Sequence, residues 1–143
     1  MGLRPFSPDW ADAVRNAVNA SHAFRREGRR WRWSVALVLE AEPGLGYPHA
    51  RTLLLELDRG RCLHASLDAD GARADYVLSA DYQTWKALVR KHMDPIKALL
   101  RGQVRLRRGS LPRLLLHVRA ARALVHCAAA VDTAFPDEEE HAS

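Results

Sequence analysis

The side chains able to do chemistry are few and loosely grouped. Cys62, His64 and Ser66 alternate in sequence, and on a strand that spacing places a thiol, an imidazole and a hydroxyl on one face. A thiol beside an imidazole is the beginning of a nucleophilic site. Such a site also needs an acid to orient the ring and donors for an oxyanion, and the sequence supplies neither nearby. A strand with a mixed polar face is the plainer reading. His117 and His126 lie nine residues apart, not at the i, i+4 spacing that sets two zinc-binding imidazoles on one helix face. No Gly-rich phosphate loop, carboxylate pair or metal-ligand cluster is visible. We therefore expect no catalytic residue, no metal and no cofactor.

Arginine offers a second kind of chemistry. Arg105, Arg107 and Arg108 fall in one basic run, and Arg119 and Arg122 share one side of a later helix. Guanidinium groups grip carboxylates and phosphates through paired hydrogen bonds, so Arg105, Arg107, Arg119 and Arg122 are candidates for an anionic headgroup. A water-facing basic surface is the alternative. Arg29-Arg30-Trp31-Arg32-Trp33 mixes arginine with aromatics, a pattern that can clamp phosphates and stack on bases. Yet these tryptophans alternate onto the apolar face of a strand, and no nucleic-acid partner is expected.

The elements that must position these residues can be read from period and punctuation. Ser7-Pro8-Asp9 opens a helix that carries Trp10, Val14, Ala17, Ser21 and Phe24 on one face and stops at Gly28. From Arg30 the period becomes two, with Trp31, Trp33, Val35, Leu37 and Leu39 sharing a side. Further strands are expected over Arg51–Asp58, Cys62–Leu67 and Ala74–Ser79, the first two joined at Arg59-Gly60 and the last preceded by a loop holding Asp70-Gly71. Ser79 or Asp81 caps the next helix, which carries Trp85, Leu88 and Val89. Asp94-Pro95 starts a short one that ends at Gly102. Val104 and Leu106 alternate with arginines in a fifth strand. Ser110 then caps a long helix to about Thr133, closed by Pro136, whose apolar arc exceeds the ~100° that a surface helix needs.

Composition bounds the rest. The 143 residues suit one domain, read here as 1–136 followed by a mobile acidic tail, 137–143. Four acids at Asp137–Glu140 mean that the body is more basic than the overall +5. No run approaches the ~20 apolar residues of a membrane-spanning helix. The opening residues lack the layout of a secretory signal, and Cys62 and Cys127 stand without C-x-x-C spacing, so a reducing, cytoplasmic setting is expected. Trp33, Trp85, Leu88, Met93, Ile96, Leu99, Leu100, Leu115 and Val118 come from elements able to converge. They would form a filled core or the lining of an apolar pocket, and periodicity does not distinguish the two.

The stretch from Ala74 onward resembles the sterol carrier protein type 2 family. The resemblance is carried by Ala74-Asp75-Tyr76-Val77-Leu78-Ser79, Trp85, and Asp94-Pro95-Ile96-Lys97-Ala98-Leu99-Leu100-Arg101-Gly102. It continues through Gln103-Val104-Arg105-Leu106-Arg107, Gly109-Ser110 and the closing helix. The N-terminal half agrees only in its order of one helix and a three-stranded meander. Arg107-Arg108 is one residue longer than the family pattern before the glycine. The resemblance implies an α+β fold: a five-stranded, mostly antiparallel mixed sheet covered by helices. It also implies a tunnel for fatty acid, acyl-CoA or sterol, and no catalysis in this domain. A small apolar or amphiphilic ligand is the expected partner. The competing expectation is an accessory or oligomerisation module, a homodimer or the companion of a lipid- or quinone-metabolising enzyme, that carries no lipid itself.

Overall fold

A computed structural model describes residues 2–68 and 73–139. The expected Asp70-Gly71 turn and the tail beyond residue 139 lie outside the described residues. Helix α1 (Pro8–Ala20) begins as its sequence dictates, with the Ser7 hydroxyl accepting from the Trp10 N–H and Pro8 in the first turn. The single helix expected as far as Gly28 is in fact two. At Ser21 the backbone turns extended, and the Ser21 hydroxyl accepts from the Phe24 N–H, capping a separate α2 (His22–Glu27). A serine inside a helix offers its own oxygen to a nearby N–H, and here that competing bond ends one helix and begins the next.

The sheet holds β1 (Arg32–Leu39), β2 (Arg51–Asp58), β3 (Arg61–Leu67), β4 (Tyr76–Ala80) and β5 (Arg105–Arg108) in the order β3-β2-β1-β4-β5. Only β1 and β4 run parallel; the other neighbours are antiparallel. The mixed α+β sheet expected from the sequence is thus observed. Both edge pairings carry a bulge. Between β4 and β5, Val77 faces Arg108 and Leu78 faces Leu106, so Arg107 is the extra residue, and the register shifts by one as the edge strand bulges to absorb it. Between β2 and β3, Glu56 faces His64 and Leu57 faces Cys62, which leaves Leu63 bulged.

Asp81, and not Ser79, caps α3 (Tyr82–Val89), and Asp94 caps α4 (Pro95–Leu100). The long closing helix is broken as well. Ser110 caps α5 (Leu111–Leu115), the chain tightens through Leu116 and His117, and α6 (Val118–Ala129) follows. Neither Pro nor Gly marks this break. It falls where the His117 ring docks edge-on against Trp33, 4.9 Å between centroids. Helix α6 is the hub of the helical layer, touching α1, α2, α3, α4 and α5, while α1 packs on β3.

The C-terminal segment is fastened at two points. Leu3 bridges Thr133, and a last turn, α7 (Pro136–Glu139), docks on α3. Asp137 and Glu138, expected in a mobile tail, both pair with Lys86, and Asp137 also accepts from the Tyr82 hydroxyl at 2.7 Å. Pro136 therefore opens this turn rather than closing the long helix.

Candidate functional site

Beneath α6 lies a cavity of about 100 Å³. The sheet supplies its floor: Val35 and Leu37 of β1 with the preceding Trp31, Leu53 and Leu55 of β2, and Tyr76 and Leu78 of β4. The helices supply the roof: Trp10 and Val14 of α1, Trp85, Leu88 and Val89 of α3, and Pro95, Ile96 and Leu99 of α4. Leu114 of α5 and Ala121, Leu124, Val125 and Ala128 of α6 complete it, with Phe6 and Val104 closing the corners. Every lining side chain is apolar or aromatic. Two tryptophans turn their N–H groups to protein acceptors, Trp10 Nε1 to Thr133 Oγ1 at 3.0 Å and Trp85 Nε1 to the Val38 carbonyl at 2.9 Å. A space with such walls stays dry and accepts apolar guests.

Its size matters as much as its lining. A benzene-binding protein cavity measures about 150 Å³, and pockets for drug-sized ligands run from about 300 Å³ upward. The void is therefore the inner end of a site, and a full acyl chain needs one wall to yield. The least anchored wall is α5, which has five residues and buries only Leu114, while Leu116 beside it is 81% exposed.

Of the residues expected to line a pocket, the structure brings together Trp85, Leu88, Ile96 and Leu99. Five stay outside. Leu100 is 62% exposed and Leu115 is 36% exposed. Successive helical residues point about 100° apart, so Leu99 and Leu114 facing inward turn Leu100 and Leu115 outward. Trp33 packs edge-on against Tyr76 and His117 at the rim of the sheet, and Met93 and Val118 are half-buried beside the cavity walls. The lining residues that sequence reasoning missed come from both halves, among them Trp10, Val14, Trp31, Val35, Leu53 and Leu55 before β4 and Leu114, Ala121, Leu124 and Val125 in the closing helices. Their periodicity marked Trp10, Val14, Trp31 and Val35 as buried, without saying that a void was what they faced.

A profile of the SCP-2 sterol transfer family matches residues 26–107. The chain belongs to that family. The match takes in the β1–β3 meander, which the sequence tied to the family only by order of elements, and stops at Arg107, before the closing helices. Two solved structures extend it across most of the chain. A crystal structure of sterol carrier protein 2 is 33% identical, with a TM-score of 0.86 over 90% of this chain and 99% of that one. The solution structure of a conserved hypothetical protein from Thermus thermophilus, described as possibly a sterol carrier protein, is 32% identical, with a TM-score of 0.85 over 94% of each chain. UbiJ-SCP2, a ubiquinone synthesis protein, is 17% identical with a TM-score of 0.51 over 90% of this chain and 93% of that one, a likeness of fold alone. A comparison with curated proteins found no match.

In this SCP-2 family member the arginines do not close around the cavity; none is among its lining residues. Arg122 is committed to Asp94, its Nε 2.8 Å from Oδ1, and this bond holds the Asp94 carboxyl below its ordinary pKa. Arg107 donates to the Ser79 hydroxyl at 3.0 Å, Arg105 lies 4.0 Å from Glu40, and Arg119 is exposed on α6. The cysteine reading also changes. The Leu63 bulge shifts the parity of β3, so Cys62 faces inward while His64 and Ser66 face water. The three do not share a face. Burial pushes the Cys62 thiol up to about 11, and its hydrogen bond goes to the His64 carbonyl, not to the ring. A thiol kept protonated is a poor nucleophile.

Proposed function

We propose that this domain binds an apolar lipid without covalent chemistry and releases it to an acceptor, with α5 as the part that moves. The observation that carries the reading is a cavity lined only by apolar and aromatic side chains, whose roof includes a five-residue helix held by one buried leucine. Each CH₂ taken from water into such a space gains about 0.8 kcal/mol, so a 16-carbon chain gains roughly 10 kcal/mol before ordering costs are charged. That gain is ample to displace α5. Both cysteines are free and buried, which fits a reducing, cytoplasmic setting. The family assignment supports the ligand class, a fatty acid, acyl-CoA or sterol-like lipid. Arg119 is the arginine best placed to meet an anionic end, since it is exposed while Arg122 and Arg107 donate to protein oxygens and Arg105 lies against Glu40.

Native purification followed by lipid extraction and mass spectrometry tests the reading, together with displacement of a fluorescent fatty acid. Recovery of a bound lipid and saturable displacement are expected. A lipid-free protein with no saturable site would contradict it.

A second reading, an accessory or oligomerisation module, is favoured by the exposed leucines Leu100, Leu111, Leu115 and Leu116. It predicts concentration-dependent self-association, or capture by a lipid- or quinone-modifying enzyme, that Leu116→Glu abolishes.

A further inference from the structure

A second, smaller void of about 10 Å³ lies beside Leu39, Tyr82 and Phe135, and it shares Phe6, Trp85 and Val89 with the main cavity. Those three side chains are the partition between the two spaces. The main cavity follows β1 through Trp31, Val35 and Leu37, and the second void meets Leu39, further along the same strand. Helix α5 sits at the Trp31 end, where His117, just beyond it, packs on Trp31 and Trp33. A chain that enters beneath α5 and follows β1 therefore ends against the partition. Trp85 and Val89 belong to α3, but Phe6 comes from a turn and is held in an unusual way. Its φ is 58°, a left-handed conformation that suits glycine or asparagine and is costly for a bulky side chain. The turn is fixed from outside, the Tyr47 hydroxyl donating to the Pro5 carbonyl at 2.7 Å. The Phe6 ring is 2% exposed, with Trp10 at 5.2 Å and Trp85 at 5.9 Å between centroids. Backbone strain of this kind persists only where the surroundings impose it, and here it sets an aromatic ring across the far end of the cavity.

We propose that Phe6 is the chain-length stop of the site: the terminal methyl of an acyl chain meets its ring, and chains too long for the space before it bind no more tightly. The inference rests on the carrier reading and adds the residue that sets its specificity. Removing the ring joins the two voids, and the joined space reaches Phe135.

The test measures displacement of a fluorescent fatty acid from the full chain by saturated acids from decanoate to eicosanoate. In the unaltered protein, affinity should rise by about fourfold per methylene and then level off. Phe6→Gly removes the ring and the strain together and should move the levelling point to a longer chain. Eicosanoate should then bind about tenfold tighter or more, as two further methylenes are admitted, and decanoate should change by less than about twofold. Phe135→Ala enlarges the second void alone and should leave the levelling point in place, yet extend it further when combined with Phe6→Gly. Should the glycine variant fail to fold, Phe6→Leu is expected to give the same shift at smaller size. Three results overturn the stop while leaving the carrier reading intact: affinity that climbs through eicosanoate in the unaltered protein, a levelling point unmoved in the Phe6 variants, or one moved as far by Phe135→Ala alone. If no acid of the series displaces the probe from the unaltered protein, both fall.

Discussion

The two helical walls of the cavity are built from similar apolar residues and behave differently. On the α1 side, Trp10 stacks on Phe6 at 5.2 Å, ties its N–H to Thr133, and stands in line with the buried Val14 and Val18. On the α5 side, Leu114 alone is covered, and Leu111, Leu115 and Leu116 meet water. The difference is one of length and partners. Thirteen residues allow α1 to present a full apolar stripe to its neighbours, whereas a helix of five cannot hold itself together without tertiary support. Apolar side chains make a rigid wall only where something lies opposite them. A domain with one rigid wall and one loose one can admit a guest without unfolding.

The largest contrast should appear on truncation. Trp10→Ala should cost about 3–5 kcal/mol in urea unfolding, and Leu116→Ala less than about 0.5 kcal/mol. Equal losses would break the comparison. Cys62 extends it to alkaline pH. The thiol lies on β3 with its backbone gripped by Asn19 of α1, at 2.8 Å to the N–H and 3.0 Å to the carbonyl. With a folded pKa of about 11 against 9.0 unfolded, its contribution is complete below pH 9 and is lost as pH rises toward and past 11. That loss amounts to roughly 2–3 kcal/mol. Cys62→Ala should flatten this part of the profile, and an unchanged slope would mean that the thiol is not sealed.

Much of the fold was legible because its signals are local. Period-two alternation located the strands, and Ser7, Asp94 and Ser110 announced three helix starts through chemistry confined to one turn. What was hidden depends on distant contacts. Nothing within the closing helix marks a break at Leu116–His117, where the reason is a ring on β1 far away in sequence. The Leu63 bulge inverts the meaning of every later position on β3, and alternation read along a single strand carries no trace of it. The site was half legible for the same reason. Trp85, Leu88, Ile96 and Leu99 followed from helical spacing, but which of Leu114 and Leu115 faces inward depends on the rotation of a five-residue helix.

Two smaller effects sharpen the contrast. Burial alone would raise the Asp137 carboxyl, but hydrogen bonds from Lys86, Tyr82 and Gln83 outweigh it and hold the group down at about 2. Its contribution is therefore complete above pH 4 and lost as pH falls toward 2. Asp137→Asn should cost roughly 1 kcal/mol at pH 7, allowing for solvent screening, and little at pH 2. A pH-independent cost would show that the C-terminal turn is not held by charge. Ser110→Ala removes the α5 cap, a 3.3 Å bond to the Arg113 N–H, and should cost about 0.5 kcal/mol while speeding ligand exchange in stopped-flow displacement. Slower exchange would place the moving wall elsewhere.

The most direct measurement fills the void. Ala121 lines the cavity from α6, and Ala121→Leu adds three carbons to a space of about 100 Å³. Displacement of a fluorescent fatty acid is predicted to weaken at least tenfold in that variant, with thermal stability kept or raised. Saturable binding of equal strength in both proteins would contradict the claim that a guest enters between the sheet and α6.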